Sequence, residues 1–324
     1  VTSFELSPGV VVDRDSGEVY AMSPGGGVVA LDLGTGEAVW HSQDAAKPLA
    51  VSGNLLVSQA EPTGPANELA IVALDTRQRG TPVMRSRVEL PPGVQPTIGQ
   101  SMNRSFIAHA EPLETDASVS WEFVERPLQG IAWGPLEVLP GEEAPPVTSA
   151  EVAPGAATAE PGAEVVIERG AVRVGLTDGT VTTIAPPSPE SFTEPTPVTP
   201  SAAAPVETTA PLPGLPEPQF LSADGSHVLI SERLGDESVW EKYQWRIFDR
   251  SSGQQVGAIR SHVRFLPFLV SGSQVVYVVE PHVHRQGDAL VEEPAQVRAI
   301  DLQSGEPRWS QPVRDITDRE APPP

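Results

Sequence analysis

The chain has 324 residues, 39% of them hydrophobic, and no apolar run approaches the ~18 residues that a membrane-spanning helix needs. Its 43 acidic against 21 basic residues give a net charge of −22, which repels nucleic acid and anionic membranes and sets both aside as partners. Cysteine is absent, which removes disulfides, thiolate metal sites and cysteine nucleophiles, and 36 prolines with 28 glycines break the chain too often for long helices.

From the N-terminus, apolar runs of four to seven residues alternate with turn dipeptides. VVVDR, EVYAM, VVALDL and EAVWH are separated by DSG, PGGG and GTG, the grammar of four short strands in an antiparallel meander. Within DRDSGE, Asp13 and Asp15 alternate as in the first half of a calcium loop. The later bidentate glutamate of such a loop is lacking, so a hairpin turn is the simpler reading.

The same unit returns along the chain. VVALDLGTGEAVW places Asp32, Gly36 and Trp40 in the register that VRAIDLQSGEPRW repeats with Asp301, Gly305 and Trp309. FDRSSGQQVG keeps Asp249 and Gly253, with Gly257 where tryptophan would stand. VALDTRQRGTPV keeps Asp75 and, after one extra residue, Gly80. WEFVERPLQG puts Glu125 in the aspartate position, with Trp121 before it as Trp245 precedes Asp249. A second landmark keeps step: thirteen residues separate Pro48 from Glu61 and, again, Pro267 from Glu280. Repetition of two landmarks in phase is the signature of units that must stack to bury their faces.

Each recurring residue has a structural task. The aspartate accepts backbone N–H groups at a turn entrance, and the glycine takes a positive φ. The tryptophan offers ~150–250 Å² of apolar surface with which to wedge one unit against the next. The pattern Ala-x-Asp-x-x-x-Gly-x-x-x-Trp resembles the tryptophan-docking motif of the pyrroloquinoline-quinone-like (PQQ-like) repeat family of β-propellers. That family includes quinoprotein alcohol dehydrogenases and the propeller subunit of the bacterial outer-membrane assembly machine. The resemblance implies an all-β propeller of four-stranded antiparallel blades. Its enzymes characteristically set adjacent cysteines beside the cofactor, and they are longer, usually with eight blades. This chain has no cysteine, so the resemblance implies a non-catalytic member without cofactor.

Blades are placed at 8–46, 47–93, 94–145, 146–190, 216–263 and 264–313, which makes six, with five or seven as alternatives. Together they form one domain over 1–313, followed by a tail at 314–324. The N-terminal TSFEL or the C-terminal strand is expected to close the ring by pairing with the other end. Stretches rich in Pro, Thr and Ala at 141–162 and 186–218 read as insertions.

Candidate chemistry is sparse. In PHVHRQGD, His282 and His284 stand two apart, so an extended strand would aim both imidazoles to one side as a metal site requires, with Glu280 or Asp288 as a third ligand. A polar loop is the plainer reading. Arg246, Arg250, Arg260 and Arg264 with His262 form a basic cluster, expected to pair with carboxylates at blade edges or, less simply, to dock an acidic partner. No nucleophile elbow, phosphate loop, dinucleotide fingerprint or zinc-helix motif occurs. The sequence thus predicts a non-catalytic interaction scaffold or accessory subunit with a protein partner. Its start at Val1 fits a processed extracytoplasmic chain. The alternative is a ligand-binding or quinoprotein-like enzyme working in the central channel. A plugged axis favours the first, and a deep axial pocket with converging polar groups favours the second.

Overall fold

A computed structural model describes residues 3–101, 103–126, 165–185, 212, 214–235, 241–286 and 289–314. These residues fold into five consecutive antiparallel sheets arranged as the blades of a β-propeller. The first blade contains β1 (Ser3–Ser7), β2 (Val10–Asp13), β3 (Glu18–Met22), β4 (Val28–Asp32) and β5 (Ala38–Ser42). The second contains β6 (Lys47–Ser52), β7 (Leu55–Gln59), β8 (Glu68–Asp75) and β9 (Thr81–Glu89). The third is built from β10 (Arg104–Pro112), β11 (Asp116–Glu125), β12 (Val166–Gly175) and β13 (Val181–Ile184). The fourth comprises β14 (Phe220–Leu221), β15 (His227–Arg233), β16 (Tyr243–Asp249) and β17 (Gln255–Ser261). In the fifth, β18 (Phe268–Ser271) and β19 (Gln274–Val279) are followed by a separate hairpin, β20 (His282–Gln286) and β21 (Ala289–Glu293). The blade then resumes with β22 (Gln296–Asp301) and β23 (Pro307–Pro312). No helix among the described residues is long and apolar enough to cross a membrane.

The described blades therefore number five, the lower of the alternatives, because the units expected at 94–145 and 146–190 share one sheet. β11 pairs with β12 from Asp116↔Gly175 to Glu125↔Val166, so residues 127–164 are an insertion within a single hairpin. Glu125 ends the second strand of its blade and is not the counterpart of Asp32. That counterpart is Gly175, whose carbonyl accepts the Gly179 N–H at 3.0 Å as the Asp32 carbonyl accepts that of Gly36 at 2.8 Å. The 141–162 insertion, most of the 186–218 stretch and the tail beyond Arg314 lie outside the described residues.

The expected role of TSFEL is also corrected. β1 pairs antiparallel with β2 of its own blade, from Ser3↔Asp13 to Ser7↔Val10, rather than with the last blade. As an extra strand on the inner edge it reaches several neighbours: Ser3 Oγ donates to the Val51 carbonyl of the second blade, Glu5 meets His109 of the third, and β1 packs on β19 of the fifth. The last and first blades join mainly through side chains, with one backbone bond from the Arg314 N–H to the Met22 carbonyl at 2.9 Å. Leu6, Val10, Val12, Val19 and Leu31 form one core with Val276, Val297, Ala299 and Trp309. Similar cores join the first blade to the second, the second to the third and the fourth to the fifth.

Candidate functional site

The recurring motif forms the joints between blades. Trp40 on β5 and Trp309 on β23 hold equivalent places: each faces an alanine of the preceding strand, Ala30 or Ala299, just before a register shift. Each indole lies on the turn glycine of the following blade. A methyl group on Gly36 would stand 2.6 Å from the Trp309 ring, and one on Gly80 2.5 Å from the Trp40 ring. Both glycines have positive φ, 72° and 76°, so the position demands glycine for its backbone and for the ring above it. In the second blade Met84 occupies the tryptophan place, opposite Ala73, and sits under Gly179 of the third. In the fourth, Gly257 fills it opposite Ile247. The space that an indole would take is filled by the Leu302 backbone, whose oxygen would lie 2.4 Å from a Cβ at Gly257.

The motif aspartates are consumed by their own turns. Asp32 accepts the backbone N–H groups of Gly34 and Thr35 at 3.0 and 2.8 Å, and Asp75 those of Arg77 and Gln78 at 2.9 and 3.2 Å. The hydroxyls of Ser251 and Ser252 and the Ser252 N–H hold the Asp249 carboxyl down to about 2. The Ser304 N–H, followed by Arg308 and the Gln303 N–H, holds Asp301 far below the usual carboxylate range. Carboxylates bound this way act as caps for their own turns. The extra residue in the Asp75 turn is absorbed at Arg79, whose φ is 56°.

Asp13 and Asp15 lie in such a turn, with the Asp15 N–H donated to Asp13 Oδ1 at 3.0 Å. His282 pairs with Glu293 at 3.6 Å and stacks on His262 with ring centroids 5.0 Å apart. Burial first, and then the neighbouring His282 and Arg298, push the His262 imidazole down to about 4. The His284 side chain and Asp288 lie outside the described residues. Among those described, no three acidic or histidine side chains are grouped to hold a metal ion. Of the clustered arginines, Arg246 reaches a carboxylate, Glu232 at 2.9 Å. Arg250 donates to the Gly225 carbonyl, and Arg264 lies over the Phe265 ring.

Two places were not legible in the sequence. At the inner edges of the blades, Lys47 is only 2% exposed. Burial drives its ammonium below the ordinary lysine range, opposed by the nearby Glu5 carboxylate. Glu5 Oε1 and Gln59 Oε1 are buried there without hydrogen-bond partners, while Glu5 Oε2 lies 3.0 Å from His109. The sequence signal was one of only two lysines in the chain, standing at the head of an apolar strand. The second place is on the rim of the third blade. β13 pairs only with residues 171–174 of β12, so no described strand covers β12 from Val166 to Gly170 on that side. Val165, Val166 and Ile167 are 44%, 46% and 49% exposed there.

A β-propeller whose recurring residues serve as joints is the class of protein that this arrangement defines. No family model matches the chain, and no curated protein matches it. Among solved structures it is similar to the Swd1 β-propeller domain of Myceliophteria thermophila, with 10% identity, 97% of this chain and 89% of that chain covered, and a TM-score of 0.28. A puromycin-hydrolysing peptidase of Mycobacterium tuberculosis gives 15% identity over 95% of this chain and 38% of that chain, with a TM-score of 0.23. A eukaryotic initiation factor gives 10% identity over 96% and 84%, with a TM-score of 0.18. Overlaps this loose carry no argument, and the fold rests on the sheets and joints described above.

Proposed function

We propose that this chain is a non-catalytic member of the PQQ-like propeller repeats, working outside the cytoplasm as an interaction scaffold or accessory subunit that holds a protein partner. The observation that carries the reading is β1. It lies along the inner edge of the first blade and reaches the second, third and fifth, so the space where a propeller enzyme would house its cofactor contains a strand. The motif aspartates, the natural acids for proton transfer, are occupied by turn N–H groups. The exposed apolar residues at the start of β12 supply the kind of surface that marks a protein-binding site. Incubation with quinone and calcium, followed by dye-reduction assays with alcohols and sugars, is expected to give no turnover. Calorimetry is expected to give no stoichiometric quinone binding. Binding together with turnover would overturn the reading. Fractionation of the native cells tests the compartment, with the cytoplasmic fraction as the adverse outcome.

A second reading, small-ligand binding at the axis, rests on Lys47 and the unpartnered oxygens of Glu5 and Gln59. It predicts a polar ligand that offers acceptors to the ammonium and donors to the two oxygens.

A further inference from the structure

We propose that the edge of β12 at Val166–Gly170, which no described strand covers, receives an extended peptide segment of a partner protein as an added strand, one carrying β-branched residues and a basic residue. The inference rests on the scaffold reading above and names the mode of recognition.

The first argument is the ladder itself. β12 runs ten residues and is paired along its whole length with β11, yet β13 covers four of them. The residues that would extend β13 along the remainder begin Ala185-Pro186-Pro187-Ser188-Pro189. Three of these five residues are prolines, which have no N–H to donate to a ladder. Open strand edges accept extended peptides through main-chain hydrogen bonds, and side chains on the two faces supply selectivity.

The second argument is the contrast with the other rims. Outer strands expose edges in every blade, and proteins guard such edges with charge and proline. β9 carries Pro82, Arg85, Arg87 and Glu89, β17 carries Arg260, and β23 carries Pro307, Arg308 and Pro312, whereas β5 and β13 are short strands of five and four residues without such guards. The edge at Val165–Ile167 instead presents three consecutive exposed aliphatic side chains.

Charge decides the occupant. Arg104 is bound to Glu125 at 2.7 Å and Arg169 to Glu122, so the local arginines are neutralised in place. Glu168 is exposed beside them. A second copy of this chain would bring the same acidic edge and a further net charge of −22, which opposes edge-to-edge pairing. A segment with lysine or arginine opposite Glu168 is the complementary partner.

The test uses the full chain and a fluorescein-labelled decapeptide of alternating valine and threonine with a lysine near each end, read by anisotropy. Saturable binding is expected. It should weaken at least tenfold for Val166→Asp/Ile167→Asp, with melting curves showing that this variant remains folded. The same loss is expected for wild-type protein with a peptide N-methylated at alternate amides, which removes ladder donors without touching the protein. Equal affinity in either comparison overturns the proposal. Binding that emerges only after residues 127–164 are replaced by a short Gly-Ser link assigns the edge to this chain's own insertion and also overturns it. A concentration-dependent dimer abolished by the double variant assigns the edge to a second copy, with the same consequence. Photo-crosslinkers at position 167 and at Val283, a 54% exposed residue of the separate β20–β21 hairpin, separate the two levels of inference. Partner crosslinks at 283 but not 167 sink the added strand and leave the scaffold reading standing, whereas none at either site counts against both.

Discussion

The boundary between the fifth and first blades and the boundary between the third and fourth differ among the described residues. At the first, Trp309 rests on Gly36, its indole N–H donates to the Leu33 carbonyl at 3.2 Å, and a continuous apolar core crosses the boundary. At the second, no core cluster among the described residues crosses. Gly253, the turn glycine of the fourth blade, has φ 67° like its counterparts, yet a methyl group added there would meet nothing within 4 Å. The face of the third blade opposite the second is more polar, with Ser118, Ser120 and the Glu122–Arg169 ion pair alternating with the apolar residues that face the second blade. The same turn therefore serves two purposes. Its hydrogen bonds close a hairpin in every blade, but only an apolar side chain from the preceding blade makes it a joint.

The largest expected effect sharpens that comparison. Trp309→Ala is expected to destabilise by about 3–5 kcal/mol, the usual cost of truncating a buried large aromatic. Trp40→Ala should fall toward the lower end, because the Trp40 indole N–H has no hydrogen-bond partner to lose. Urea unfolding followed by intrinsic fluorescence measures both, and a silent Trp309→Ala would break the joint assignment.

Next in size is a matched pair of glycine substitutions. Gly36→Ala combines a left-handed backbone, about 1–2 kcal/mol, with overpacking against Trp309, about 1–3 kcal/mol. Gly253→Ala carries only the first of these. Their difference in unfolding free energy isolates the docking contact, and equal losses would show that Trp309 yields without resistance.

A gain is expected at the axis. Lys47→Met should raise stability at neutral pH by about 1–2 kcal/mol, since an apolar side chain of similar length avoids burying an ammonium. The sign follows from linkage. The folded-state pKa of Lys47 lies below that of the unfolded chain, so the folded form binds fewer protons between the two values and wild-type stability rises with pH across that window. The advantage of Lys47→Met should shrink toward pH 10, and an advantage constant with pH would contradict the burial of a charged amine.

The smallest effects lie on the acid side. His262 titrates at about 4 in the folded chain against an unfolded value near 6.5. Its contribution is intact above 6.5 and declines as pH falls toward 4. The carboxylates of Asp249 and Asp301 are lowered, so their contributions begin to fall below the unfolded value near 3.8 and are lost as pH drops through the folded values. Urea midpoints for wild type and His262→Phe between pH 7 and pH 4 should converge at the acid end if the wild type alone loses stability there; parallel curves would remove His262 from the account.

How legible each blade was depended on how complete its motif was. The first and fifth carry Asp, Gly and Trp at full spacing, and each forms a sheet whose last two strands are joined by that motif. The third resisted because both marks are replaced: Gly175 stands for the aspartate, and Met84 of the second blade does the docking that a tryptophan does elsewhere. A methionine in a strand and a glycine at a hairpin carry no periodic signal, and 127–164 separates two strands that pair with each other. The edge at Val166–Gly170 was invisible for a related reason, since an alternating strand reads the same whether or not a neighbour covers it. Lys47 looked like any other polar residue until its surroundings were known.

What the sequence determined by itself is local. Asp-x-x-x-Gly sets a turn because the carboxylate and the N–H groups it accepts lie within three residues, and short apolar runs between such turns become strands of one meander. Tertiary structure alone decided which turn each indole docks on, how many sheets the strands form, and that β1 lies at the axis instead of completing the last blade. Those outcomes depend on residues far apart in the chain. Trp309 donates to Leu33, 276 positions away, and neither residue carries a mark naming the other. Apolar burial is non-directional, so it makes stacking favourable without specifying the partner; the fit of an indole over a glycine with positive φ supplies the specificity, and that fit exists only once the blades have met.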